Sequence, residues 1–320
     1  MSSTRRIYDV DLVPLLGSSF QPTGFPDIGA ATFTRFEQDE AIPSLLVESV
    51  QSMANRLEAT AWDFATDQPV ALVADLPWVR VVRAGSDEFL TSSRLEAHRL
   101  ASPFVHVATL DGRPVFEIIR ERLGLAKDTP LHRRSMAAAV ASLDPFCLVH
   151  GVFFAQKDWY GQPRFERAVS AAIEAHDVSR VVSGGRKADI VRHQLETDTG
   201  GTAEGYGSVP FHRTEWTAKR IVASFVVDTQ LLRSYGLPDT VTDLLETLAL
   251  WEIRSLLDGG LRLRTACDLE ISGDIRARRG APLPSRKDLD TQVGELIAAT
   301  RDTFGAAGPL TVEWTDKGKK

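Results

Sequence analysis

Hydrophobic periodicity along the 320 residues predicts an α+β fold, in the order strand, helix, strand, then strand, helix, strand, with long stretches between the two halves. Three observations carry this reading. Residues 5–16 have a strand pattern that runs into a Gly/Pro-rich loop over 17–29. Leu45, Ser49, Met53, Leu57 and Ala61 recur every four residues after Pro43, which predicts a helix over 44–63. Residues 242–257 form a strongly amphipathic helix pattern ended by Gly259-Gly260. Several topologies accept this order, and a ferredoxin-like sheet with insertions between its halves is the one we expect.

The remaining elements follow in sequence. A short strand is expected over 78–83. Ser93 with Glu96 reads as a capping box for a helix to about Leu100. Helices are expected over 114–123 and 131–143, the second stopped by Asp144-Pro145. The continuous apolar run 147–155 reads as a buried strand, and 164–175 shows no clear period. Six glycines between 183 and 213 suggest a long irregular excursion. Strands are expected over 219–228, 261–271 and 310–314, with a basic loop over 276–287. Ser285 or Asp288 would cap a helix reaching Phe304. No internal repeat or low-complexity linker divides the chain, so one elaborated domain over 1–320 is expected.

Composition narrows the classes. With 43% hydrophobic and 25% charged residues the chain has ordinary globular make-up. No run approaches 18 apolar residues, and the first residues lack a signal-peptide pattern, so a cytoplasmic protein away from membranes is expected. Cys147 and Cys267 are too few for a zinc motif or a disulfide framework and read as buried small side chains. The net charge of −6 argues against nucleic acid as a partner, but the charge is polarised. Residues 1–60 hold four basic and eight acidic side chains, whereas 275–287 hold five basic ones and no acid. Such a surface can bind phosphate on one face or join copies end to end.

Catalytic patterns are sparse. No His-Glu-x-x-His occurs, and the seven histidines show no metal-ligand spacing. Gly184-Gly185-Arg186-Lys187 lacks Walker spacing; it is either a flexible turn or a place where the backbone meets a phosphate that the cations neutralise. Asp268 and Glu270 would share a strand face, where an ion pair with Arg262 or Arg264 outweighs a metal site. Residues 211–220 gather His212, Arg213, Trp216, Lys219 and Arg220. Aromatic faces beside cations suit single-stranded RNA, and the plainer reading is a turn with Trp216 packed inward. On the helix over 44–63, Ser49, Gln51, Ser52, Asn55 and Arg56 form a polar side that suits phosphate oxygens or simply water.

Long strings of unusual composition carry a resemblance: FQPTGFPDIG from Phe20, VESVQSMANRLE from Val47, TSSRLEAHR from Thr91, LVHGVF from Leu148 and LRLRTACDLE from Leu261, with 183–187 and 209–220. They resemble the Csb-one branch of the Cas-seven family, in the CRISPR-associated RAMP superfamily: the backbone subunit of the type I-G (formerly I-U) Cascade complex. The resemblance covers about 17–270, so the basic 276–287 loop gains nothing from it. It implies an RNA-recognition-like ferredoxin core with a thumb-like insertion over about 156–217 and a palm holding guide RNA. It also implies copies aligned head to tail, no nuclease activity and no cofactor. Implied partners are the CRISPR guide RNA, further copies, other Cascade subunits and the target DNA strand paired to the guide. Gln21 lies in the first matched string. Ser49, Gln51, Ser52, Asn55 and Arg56 fall on the guide-contacting helix, and Gly184, Gly185, Arg186, Lys187, His212, Arg213, Trp216, Lys219 and Arg220 on the thumb and its return strand. Two other readings compete: an RNA endonuclease with His150 or His212 as general base, and a metabolic enzyme using Gly184-Gly185 as an anion loop.

Overall fold

Alternation over 8–12 marks residues 6–14 as a strand: Tyr8, Val10 and Leu12 are buried on one face, and Asp9 and Asp11 project from the other. In the computed structural model, which describes residues 4–25, 29–187, 209–305 and 308–315, this strand lies inside an eight-stranded sheet. Strand Arg6–Pro14 pairs antiparallel with Val209–Val227 on one side. On its other side it meets Cys267–Ile271 and Arg276–Arg279. Val209–Val227 forms a long antiparallel hairpin with Val169–Lys187, which pairs with Glu40–Glu48, and Thr32–Glu37 closes that edge.

Numbered by position in the chain, the four core strands Arg6–Pro14, Val169–Lys187, Val209–Val227 and Cys267–Ile271 stand in the order fourth, first, third, second. Helix Val50–Ala59 lies between the first and second, and Asp239–Gly259 between the third and fourth. This is the ferredoxin-like arrangement, with insertions. Helix Asp239–Gly259 is buried almost all round, including Leu244, Leu248 and Trp251, because the sheet, Val50–Ala59, Phe146–Val149 and Arg286–Phe304 surround it. Each such side chain contributes about 1.5–3 kcal/mol on burial. The insertion over 60–168 has its own five-stranded sheet, in which Trp78–Arg83 pairs in parallel with the late strand Pro309–Trp314. The end of the described chain thus ties the insertion to the rest.

Several local expectations differ from the structure. Residues 44–48 belong to strand Glu40–Glu48, in which Leu45 and Val47 are buried at period two; the helix is Val50–Ala59, with Ser49 as its N-cap. Ser93 caps nothing. Its buried hydroxyl accepts from the Val79 amide and donates to Asp144 at 2.6 Å, and only a single turn, Arg99–Ala101, follows. The apolar run after Asp144 is a short helix, Phe146–Val149, and a two-residue strand, Val152–Phe153, parted at Gly151 (φ 83°). An unbroken apolar run fits a buried helix as well as a buried strand. Residues 261–271 are two paired strands, Leu261–Arg264 and Cys267–Ile271. Residues 276–279 are strand rather than loop. The excursion over 183–213 is strand wherever it is described, so Gly184 and Gly185 sit in a ladder opposite His212 and Phe211. Gly200, Gly201, Gly205 and Gly207 lie outside the described residues.

Candidate nucleic-acid interface

Along the outer half of the long hairpin, a cavity of about 710 Å³ is lined by Gln21, Thr23, Arg180, His212, Arg213 and Trp216. Phe20 and Trp216 exchange backbone hydrogen bonds of 2.8 and 2.9 Å, which fixes the Gln21 loop against the strand. The Gln21 carbonyl is held in turn by Arg264 at 2.8 Å. Arg180 stands opposite Trp216 in the ladder and donates to Thr214 Oγ1 at 3.1 Å. Arg213 is 2.8 Å from Glu215, while His212 is exposed and Trp216 half-buried. The fold therefore gathers Gln21, His212, Arg213 and Trp216 at one place. Arg180, which no sequence pattern singles out, joins them; its signal is its cross-strand position, visible only once the hairpin register is known.

Lys219 and Arg220 line a different cavity, of about 580 Å³, on the sheet face opposite the helices. Lys219 is 81% exposed and 3.8 Å from Asp177. Arg220 is 2.8 Å from Asp11, which also holds Arg276 at 2.7 Å. Burial alone would raise Asp11, but hydrogen bonds and charge from these two arginines hold it below the usual carboxylate range.

The helix residues divide. Gln51 and Asn55 are exposed, and Ser52 is half-buried. The Ser49 hydroxyl is occupied as the cap, accepting from the Ser52 amide at 3.2 Å. Arg56 is not free for phosphate. It donates to Glu48 at 3.2 Å and to the Leu263 carbonyl at 2.7 Å, fastening the helix to the sheet. Arg186 is exposed on the strand, and the Lys187 side chain lies outside the described residues. Gly184 to Lys187 form no anion loop, because they extend the ladder.

Burial and pairing correct the other chemistry expected from the residue patterns. His150 is wholly buried, its Nε2 2.8 Å from Glu252, and burial pushes its pKa down to about 4. It has no access to an attacking 2′-hydroxyl, so it is not a general base for RNA cleavage. The carboxylate that Arg264 meets is Glu48, not Asp268 or Glu270. The acidic start and the basic 276–287 segment are joined within the chain at two points, Asp11–Arg276 at 2.7 Å and Asp9–Arg278 at 3.2 Å, so these four side chains are not free charges. Cys147 and Cys267 are free and buried. Among the described residues, no group of three or more His, Cys, Asp or Glu could hold a metal ion, and no helix is long and apolar enough to cross a membrane.

The ferredoxin-like order and the polar cavities along the hairpin define an α+β protein with a long two-stranded projection. Residues 7–180 match the family described as CRISPR-associated protein GSU0053, and the chain belongs to that family. Among solved structures, a chain of a "CRISPR RNA-guided surveillance complex, pre-nicking" is 12% identical, with 84% of this chain and 74% of that one covered and a TM-score of 0.39. Csc2 from Thermofilum pendens is 11% identical, with 95% and 81% covered and a TM-score of 0.31. No curated protein sequence matches the chain.

Proposed function

We propose that this protein holds a CRISPR guide RNA by its phosphate backbone, as a non-catalytic, Cas-seven-type subunit of a type I-G surveillance complex in the cytoplasm. The observation that carries the proposal is the cavity on the outer half of the hairpin, where Trp216 stands beside Arg180, His212 and Arg213. An aromatic face among cations and amide donors suits stacked bases and phosphates without reading sequence. Membership of a CRISPR-associated family gives that chemistry its context. The hairpin Val169–Lys187/Val209–Val227, with the residues between its strands, is the thumb in this reading. Other subunits and a target DNA strand paired to the guide are its further partners.

Head-to-tail alignment of copies is part of the proposal on the strength of the family resemblance and not of the charge map. A continuous RNA raises the effective concentration of neighbours, so weak protein contacts suffice. Light scattering with RNAs of increasing length tests it: mass should climb one protomer at a time, and a fixed dimer at every length would refute it. RNA binding itself is read from two unrelated RNAs of equal length titrated over a salt series. If one subunit covers roughly 3 to 5 phosphates, log affinity falls with log salt at a slope of about −2 to −4, equally for both. A strong preference for one sequence would sink backbone recognition, and cleavage of either RNA would sink the non-catalytic reading.

A further inference from the structure

A third cavity, of about 380 Å³, lies where the insertion meets the first core helix, and of the expected RNA-binding residues only Gln51 lines it. Its walls include His98, Phe153, Arg164, Arg167 and Ser170. Phe153 and Arg164 are cross-strand partners, and the phenyl ring is 49% exposed. A large apolar ring left in water beside an arginine has no packing role of its own.

The charge here is unbalanced. Among the described residues, half-buried Arg167 donates to the carbonyls of His150 and Val50, each at 3.4 Å. Burial first, and then the neighbouring positive charge of Arg99, lower its pKa. Arg99 has its own carboxylate, Glu58, at 2.7 Å. The acid on the cavity wall, Glu166, is committed to Arg133 at 2.6 Å. Arg164 makes no ion pair within 4 Å among the described residues, though its charge reaches Glu166 and helps hold that carboxyl down. Two guanidiniums thus face one cavity without an ion-paired anion, with Gln51 and Ser170 as neutral donors beside them. Below them the ring of His150 is wholly buried, its Nδ1 without a hydrogen-bond partner among the described residues. Guanidiniums short of carboxylates favour a phosphate, and an exposed aromatic ring beside them favours a base.

We infer that this cavity is a one-nucleotide subsite for single-stranded RNA, with the phosphate held by Arg164 and Arg167 and the base stacked on Phe153. The inference rests on the RNA-holding function proposed above and adds a second contact point, which helix Val50–Ala59 meets at Gln51. Its volume is within the range of small-ligand sites.

The test uses the full-length protein and a fluorescently labelled single-stranded RNA of about 30 nucleotides, with affinity measured over a salt series. Phe153→Ala should weaken binding roughly tenfold, the size of one lost stacking contact, and leave the salt slope unchanged. Arg164→Ala should weaken binding and lower the slope by about 0.7, the value for one phosphate on a single strand. Both side chains are exposed, so melting temperatures should match the wild type and exclude misfolding. If a folded wild type binds RNA and both variants bind it equally well, the subsite is refuted while the RNA-holding function stands. If the wild type binds no RNA, the function falls and the subsite with it.

Discussion

Replacing Glu48 with alanine would strip one carboxylate from two guanidiniums at once. Its side chain is 2% exposed and receives Arg56 at 3.2 Å and Arg264 at 2.5 Å, so the strand end, the first core helix and the Leu261–Arg264 strand meet on it. Removing one member of a buried ion pair costs about 3–5 kcal/mol, because the charge left behind stays desolvated. Arg56 and Arg264 keep 27% and 24% exposure, so water reaches them and the low end, about 3 kcal/mol, applies. An unfolding entropy of about 2.1 cal/mol/K per residue makes that about 4–5 °C in melting temperature for a chain of this length. Glu48→Gln keeps an acceptor and should cost only about 1–2 kcal/mol. Arg56→Glu, which a solvated helix face would tolerate, brings a second carboxylate against Glu48 and should destabilise at least as much as the alanine. Thermal melts by circular dichroism, paired with urea titrations, decide it. If Glu48→Ala and Glu48→Gln both melt within a degree of the wild type, the three-way tie does not hold the sheet and helix together.

Other contacts carry three more predictions. Glu252 is pushed well up by burial while His150 is pushed down to about 4, so the native chain releases the carboxyl proton at higher pH than the unfolded chain and takes up the imidazole proton only at lower pH. Wild-type stability should therefore fall as pH rises above about 6.5, by up to about 1.4 kcal/mol per unit from this pair. Glu252→Gln should remove that slope and instead lose stability as pH falls from about 6.5 towards 4; identical urea-unfolding profiles for the two proteins at pH 7 to 9 would contradict the pairing. Gly151→Ala forces a side chain onto φ 83° with its Cβ 2.9 Å from the Phe165 carbonyl oxygen, and should cost on the order of 1–3 kcal/mol or more, measured by urea unfolding. Lys219→Glu removes an 81% exposed cation and should weaken RNA binding while leaving the melting temperature unchanged; equal affinity would take the guide path away from that cavity.

The core topology was legible because its two halves wear their periodicity openly. Residues 8–12 alternate, Asp239–Gly259 has a long apolar run at helical spacing, and Ser285 caps its helix by accepting from the Asp288 amide, as its position before the pattern suggests. What failed was local. Leu45 to Ser49 satisfies both a two-residue and a four-residue rhythm, and only the pairing of Leu45 with Ala175 decides for the strand. Ser93 looks like a cap but is claimed by Asp144, 51 residues away. The candidate site was half readable. Polar and aromatic residues close in sequence, from His212 to Trp216, remain close in space because a strand holds them. Arg56 and Arg220 looked equally free, yet each is bound by a carboxylate, Glu48 and Asp11, that sequence proximity does not reveal. Arg164 and Arg167 were invisible because the segment around them has no period and their relevance comes from Gln51 and His98, which lie far off in the chain.

The placement of Arg6–Pro14 inside the sheet has a consequence for synthesis. Its partners include Ile221 to Val227 and Leu269 to Ile271, so the strand is made long before the strands that frame it. At 5–20 residues per second, roughly 210 further residues take about 10–40 s to be made. Throughout that time Tyr8, Val10 and Leu12 have no sheet to enter, and both edges of the strand are open to any neighbouring chain. Cellular yield should therefore depend on how well this waiting strand is sheltered during synthesis, quite apart from the stability of the finished fold.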